Sequence, residues 1–288
     1  MPKRMTQLLA LPPCPGPKLA AFEHHNSPIK WIERLDLGQD GGESAMQSCV
    51  YKVEIESKVY ALKIFKFFDP DTVRYYWEPQ LRNSVPLNEI VFYTDPFFAE
   101  CRAYGRIKEA RVTRGIKEKL AVPCHGYLFL TKRDESWLER DGVDLGSRHI
   151  SKEFRPPSID TNLARAIVKD FEPRPSGLNS KNIRPALRRL KRLNELQVYN
   201  GDIRGDNFRG GYLVDFGTSQ TEPHRLFDSL DPNTAEGKKM EDMIMFDEAV
   251  KEDQGGIFIV RNYKDIWDEY TKGTMEDADC QMHEEELQ

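Results

Sequence analysis

The chain has 288 residues, 39% of them hydrophobic and 31% charged, with a formal net charge of −5. That length can bury a core as one large domain or two lobes, and the acidic balance gives no direct nucleic-acid signal. The five cysteines (Cys14, Cys49, Cys101, Cys124, Cys280) are scattered without CxxC spacing, which argues for free thiols in a reducing compartment and against a structural zinc site.

Residues 1–27 are Pro-rich and aperiodic and are expected to form an N-terminal arm, flexible or partly docked, with Phe22 as its possible anchor. Leu8–Leu11 is too short for a signal segment. No run approaches the roughly 18 apolar residues of a membrane span, so a cytoplasmic or nuclear protein with no membrane contact is expected. Trp31, Leu35 and Leu37 suggest a first strand ending at Gly38. Gly38, Gly41 and Gly42 then sit in a loop able to bring backbone close to a phosphate. Val50–Ile55 and Val59–Phe65 form a hairpin across Glu56-Ser57-Lys58. Alternation places Ala61, Lys63 and Phe65 on one face, so Lys63 must snorkel out or find an opposite charge.

Phe67–Thr94 is an insertion without an assignable structure. Thr94 or Asp95 can cap a helix that has Pro96 in its first turn, with Phe97, Glu100, Tyr104 and Ile107 on one face. Glu100, in the middle of that stripe, needs a buried cation, and Lys63 is the natural candidate. Ala121–Leu130 is expected to form a strand pair, residues 131–161 an inserted loop, Ala166–Val168 a buried strand, and residues 169–175 a link between lobes. Cys124-His125 suits packing better than metal binding. Pro185 opens a helix carrying Leu187, Leu190, Leu193 and Leu196, whose basic run reads as a solvated face. Lys238–Glu252 should be a helix, with Asp242 or Asp247 placed to brace the loop before it. Ile257–Tyr270 forms a last element, and residues 272–288 an acidic tail.

The chain is organised around Tyr199–Ser219, YNGDIRGDNFRGGYLVDFGTS. Gly210-Gly211 between two short strands predicts a tight hairpin, pairing Arg209 with Tyr212, Phe208 with Leu213 and Asn207 with Val214. Asn207 and Asp215 then project from its open end, and Asp202 lies in the loop feeding that end. Two carboxylates and a carboxamide are oxygen ligands suited to Mg²⁺ together with substrate phosphates.

The spacing D-x-R-x-x-N, then a hydrophobic strand and D-F-G, resembles the catalytic and metal loops of the protein-kinase superfamily. The short link and the Gly201-Asp202 pair are closer to the aminoglycoside-phosphotransferase and atypical-kinase branch. Tyr60-Ala61-Leu62-Lys63 resembles the family's V-A-I-K, although the glycine loop before it is out of register with the family pattern. The resemblance implies an α+β, two-lobed kinase-like fold: an antiparallel-sheet lobe over residues 28–168 with one main helix, a hinge at 169–175, and an abbreviated mainly helical lobe over 176–271. It implies ATP and Mg²⁺ as cofactors, with Lys63, fixed by Glu100, on the α- and β-phosphates and Asn207 and Asp215 on the metal. Asp202 would accept a hydroxyl proton, and Arg204 would stabilise the moving phosphoryl group.

Asn200-Gly201 replaces the family's His-Arg, and no A-P-E signature follows, so neither a phosphorylated activation loop nor a peptide platform is expected. The acceptor could be a small molecule, an unusual protein, or none. GPKLAAF, YALKIFKF, AECRAYGRIKE and the GDIRGDNF–LVDFG pair also resemble fungal kinase-like proteins labelled as a Sim4 kinetochore complex subunit. Two functions follow, an active phosphotransferase or a kinase-like binding module with a partner protein.

Overall fold

The computed structural model of this chain describes residues 11, 15–36, 47–67, 85–146 and 163–253, apart from the side chains of residues 87 and 88. Gly38, Gly41 and Gly42, Ile257–Tyr270 and the acidic tail lie outside the described residues.

Strands β1 (Lys30–Arg34), β2 (Ser48–Ile55), β3 (Lys58–Phe65), β4 (Cys124–Phe129) and β5 (Arg165–Asp170) form one sheet in the order β1-β2-β3-β5-β4, every neighbour antiparallel. Glu56 and Ser57 turn β2 into β3, and both have positive φ, as a two-residue hairpin matched to strand twist requires. Alternation decides what each face of β3 buries. Leu62 and Ile64 join an outer core with Val53, Leu128 and Val168, whereas Phe65 joins Ile167 and Tyr127 in the inner core.

Ala121–Leu130 supplies one strand of this sheet, not a strand pair, and its partner is β5. Part of the expected 131–161 loop is helix α3 (Lys132–Arg140). Thr131 and Asp134 form its capping box, and its Trp137 stacks on Trp31 with ring centroids 4.6 Å apart to close the outer core. His125 hydrogen-bonds Asp170 through Nε2 at 2.6 Å, a packing role.

The expected insertion ends in helix α1 (Leu87–Thr94), and Asp95 then caps helix α2 (Pro96–Thr113) by accepting from the Phe97 N–H at 2.9 Å. Helix α2 is buried on nearly every side: Ala99, Cys101 and Ala103 are as inaccessible as Phe97 and Tyr104, so the one-sided stripe expected from sequence is corrected. Part of the cover is the N-terminal arm, which from residue 15 is docked. The Phe22 N–H donates to the Tyr127 carbonyl at 2.8 Å, and the Tyr127 N–H to Ala20 at 3.2 Å. A Cβ on Gly105 would lie 2.7 Å from the Lys18 backbone, so only glycine lets the arm cross α2 there.

The second lobe runs through α4 (Ile183–Glu195), β6 (Val198–Tyr199), a 3₁₀ turn (Gly205–Asn207), β7 (Phe208–Arg209), β8 (Tyr212–Leu213), β9 (Gln220–Thr221), α5 (Arg225–Ser229), α6 (Pro232–Lys239) and α7 (Glu241–Asp253). Leu190 and Leu193 of α4 share a buried cluster with Met243, Phe246 and Val250 of α7, which sets α7 beneath the loop that holds Asp202. The helix expected over Lys238–Glu252 is broken at Met240, whose N–H turns back to Gly237 and whose side chain is buried.

Candidate functional site

The hairpin forms in the register its glycines dictate. Gly210 and Gly211 have φ of 55° and 78°, Phe208 faces Leu213 and Arg209 faces Tyr212. The Val214 N–H donates to the Asn207 carbonyl at 3.0 Å. Asn207 and Asp215 therefore leave the same open end. Asn207 Nδ2 donates to the Asp202 carbonyl at 2.9 Å and to Asp202 Oδ2 at 3.0 Å.

The second group converges from the sheet. Lys63 Nζ lies 2.9 Å from Glu100 Oε2 and 2.5 Å from Asp215 Oδ1, joining β3, α2 and the hairpin end. Lys63 and Glu100 side chains are 6% and 0% exposed, so neither charge has water to fall back on. Burial acts to lower the Lys63 pKa, but Asp215 and then Glu100 outweigh it and raise it to about 12. Burial likewise acts to raise Asp215, yet Lys63 and Lys169 hold it well below the usual carboxylate range. Asp215 is ionised at any ordinary pH.

Residues around the site fix its loops. Asn200, 1% exposed, stands where kinases carry histidine. It donates through Nδ2 to the Asp215 carbonyl at 2.7 Å, and its own carbonyl accepts from the Thr218 hydroxyl at 2.9 Å. Asp242 of α7 accepts from the Asn200 and Gly201 N–H groups, each at 2.8 Å, so of the two aspartates considered it is the brace. Phe216 is fully buried and packs edge-on against Tyr104 of α2, with centroids 5.1 Å apart. Arg204 closes on the acidic end, with Nε 2.9 Å from Asp202 Oδ1 and 3.7 Å from Asp206 Oδ1.

Sequence reasoning missed two cations. Lys169 of β5 donates to the Val214 carbonyl at 2.6 Å and ion-pairs with Glu100 Oε1. Strand alternation through Ile167 could have put it on the same face as Lys63. Arg102 of α2 donates to Thr221 at 2.8 Å, to Pro15 at 2.6 Å and to Pro223, tying helix, arm and the segment after Phe216 together. Nothing local in the sequence marks it, because its partners are distant carbonyls.

The donor set fits Mg²⁺ with a nucleotide. Asn207 uses its amide nitrogen on Asp202, and Asp215 Oδ1 is taken by Lys63 and, at 2.7 Å, by the Gly217 N–H. Asn207 Oδ1 and Asp215 Oδ2, which accept no hydrogen bond among the described residues, would be the protein's ligands. Among the described residues no group of three or more His, Cys, Asp or Glu could hold a metal unaided. Mg²⁺ commonly takes few protein oxygens and completes its shell with waters and substrate phosphates.

A small antiparallel sheet carrying a buried Lys–Glu pair, one central helix, and a short loop and hairpin delivering Asp202, Asn207 and Asp215 define a protein of the kinase-like class. The family model described as kinetochore Sim4 complex subunit FTA2 matches residues 8–220, and the chain belongs to that family. Among solved structures, vaccinia related kinase 3 aligns at 11% identity with a TM-score of 0.44, over 93% of this chain and 78% of that one. No curated protein matches. Among the described residues no helix is long and apolar enough to cross a membrane.

Proposed function

We propose that the chain is an atypical kinase that transfers the γ-phosphoryl group of ATP to an acceptor hydroxyl with Mg²⁺, acting in the nucleus as a kinetochore-associated subunit among protein partners. The observation that carries the reading is the pair of hydrogen bonds that the Asn207 amide donates to Asp202, which couples a metal-ligand position to a base position. Bound magnesium would neutralise charge on the phosphates. The chain's own work is alignment: Lys63, held by Glu100, grips phosphate oxygens, Asp202 orients the acceptor hydroxyl and takes its proton, and Arg204 offsets charge on the moving group.

A second reading is a kinase-like binding module without turnover. Family membership favours it, as does Arg204, which sits on Asp202 where an acceptor would approach. Thermal unfolding of wild type and Asp215→Asn with and without Mg-ATP, followed by a γ-phosphate transfer assay against Asp202→Asn, separates the readings. A magnesium-dependent gain in the Tm shift in wild type alone, with transfer lost in Asp202→Asn, is expected of the enzyme. A shift without transfer leaves the module, and no shift in folded protein removes the nucleotide altogether.

A further inference from the structure

Lys169 is a buried cation for which phosphoryl transfer as outlined has no use. It lies on β5 opposite Ala61 of β3, 4% exposed, with Nζ on Glu100 Oε1 and 2.6 Å from the carbonyl of Val214, the residue before Asp215. Glu100 thus carries a lysine on each of its oxygens. The run Lys169–Glu100–Lys63–Asp215 contains two positive and two negative charges, all away from bulk water except at Asp215.

That balance changes what the cleft asks of a ligand. With one lysine and two carboxylates the site would hold net negative charge, and a polyphosphate would enter only behind a divalent cation. Here Lys169 offsets Glu100, so the four charges sum to zero and an incoming anion meets one positive charge more than a lone Lys63 would present. Charges this close act strongly in a partly desolvated cleft. The positive charge that Lys169 adds also weakens the pull of Asp215 on a metal.

We propose that Lys169 permanently supplies part of the charge a divalent cation would otherwise bring, so that this cleft binds a nucleoside triphosphate in the absence of divalent metal. The inference rests on the nucleotide reading above but does not require turnover.

The test is thermal unfolding and equilibrium binding of full-length protein with ATP, either in excess EDTA or with magnesium, for wild type, Lys169→Met and Lys169→Arg. Wild type is expected to bind ATP in EDTA within about tenfold of its affinity with magnesium. Lys169→Met should lose binding in EDTA by at least about tenfold while keeping binding with magnesium, and Lys169→Arg should restore it. Wild type that binds only with magnesium overturns this proposal and leaves the nucleotide reading standing, and so does Lys169→Met that still binds in EDTA. Absence of binding under both conditions overturns both. Should Lys169→Met fail to fold, wild type and Lys169→Arg in EDTA still decide, because both must bind.

Discussion

Asn207 donates its side-chain amide to both the backbone carbonyl and the carboxylate of Asp202, at 2.9 and 3.0 Å. One residue therefore sets the position of the other, and the open end of the Gly210-Gly211 hairpin is locked to the loop before it. Asn200 and Asp242 lock the same loop from the other side, so the acidic end is held without a phosphorylated segment.

The division of labour predicts different phenotypes for the two linked residues. Asp202→Asn should lower phosphoryl transfer by about 10²- to 10⁴-fold, the usual contribution of a positioned base, while the Mg-ATP-dependent Tm shift persists. Asn207→Ala should lose transfer and the part of the Tm shift that magnesium adds to ATP alone, because it removes a metal ligand and frees Asp202. Equal loss of nucleotide binding in the two variants would contradict this assignment.

Glu100 carries a buried ammonium group on each of its carboxylate oxygens. Replacing it with glutamine leaves Lys63 and Lys169 competing for Asp215, and breaking a buried pair of this kind destabilises by about 3 to 5 kcal/mol. Urea unfolding should show that loss, and Lys169→Met in the same chain should recover part of it as a positive coupling in a double-mutant cycle. Additive effects would mean that the three charges are independent.

The docked arm gives a separate prediction. Gly105→Ala places a methyl group 2.7 Å from the Lys18 backbone, and Gly126 is just as tightly covered, with a Cβ there 2.5 Å from the Phe22 nitrogen. Overpacking at Gly105 should cost about 1 to 3 kcal/mol and speed hydrogen exchange at the Phe22 amide, which bonds to Tyr127. Unchanged exchange there would mean the arm is not held by α2.

Much of the site was legible because its determinants are local. Gly-Gly fixes the hairpin register, alternation puts Lys63 inward, and a glutamate on a buried helix needs a cation. The fold class followed from the same motifs. What stayed hidden depends on distant backbone. Arg102 donates to the carbonyls of Pro15, Thr221 and Pro223, the arm bonds to Tyr127, and no residue spacing encodes those meetings. The all-round burial of α2 was missed for the same reason, since the arm that completes its cover carries no periodicity. Lys169 lay in a stretch read as a linker, where its strand neighbours Ile167 and Val168 were the only clue.

Two buried groups should oppose each other in the acid range. His224 is 3% exposed; its Nδ1 accepts the Leu226 N–H at 3.2 Å and its Nε2 faces the Tyr93 carbonyl at 3.4 Å, so the ring is held neutral. Burial, helped by Arg102, lowers its pKa from 6.5 to about 3. Its folded pKa is depressed, so the unfolded chain takes up the proton first and stability falls as pH drops from 6.5 toward 3. Asp242 behaves in the opposite sense. Burial outweighs the Asn200 and Gly201 N–H groups and raises it from 3.8 to about 6, so stability falls as pH rises between those values and levels off above them. One proton of difference changes stability by about 1.4 kcal/mol per pH unit, so the two slopes should nearly cancel between pH 3.8 and 6. His224→Asn, which can still cap α5, should remove the first slope and become progressively more stable relative to wild type as pH falls through that window. Asp242→Asn should instead gain on wild type as pH rises through it. Urea unfolding across the window measures both differences, and parallel pH profiles for wild type and His224→Asn would show that the ring is not held neutral in the fold.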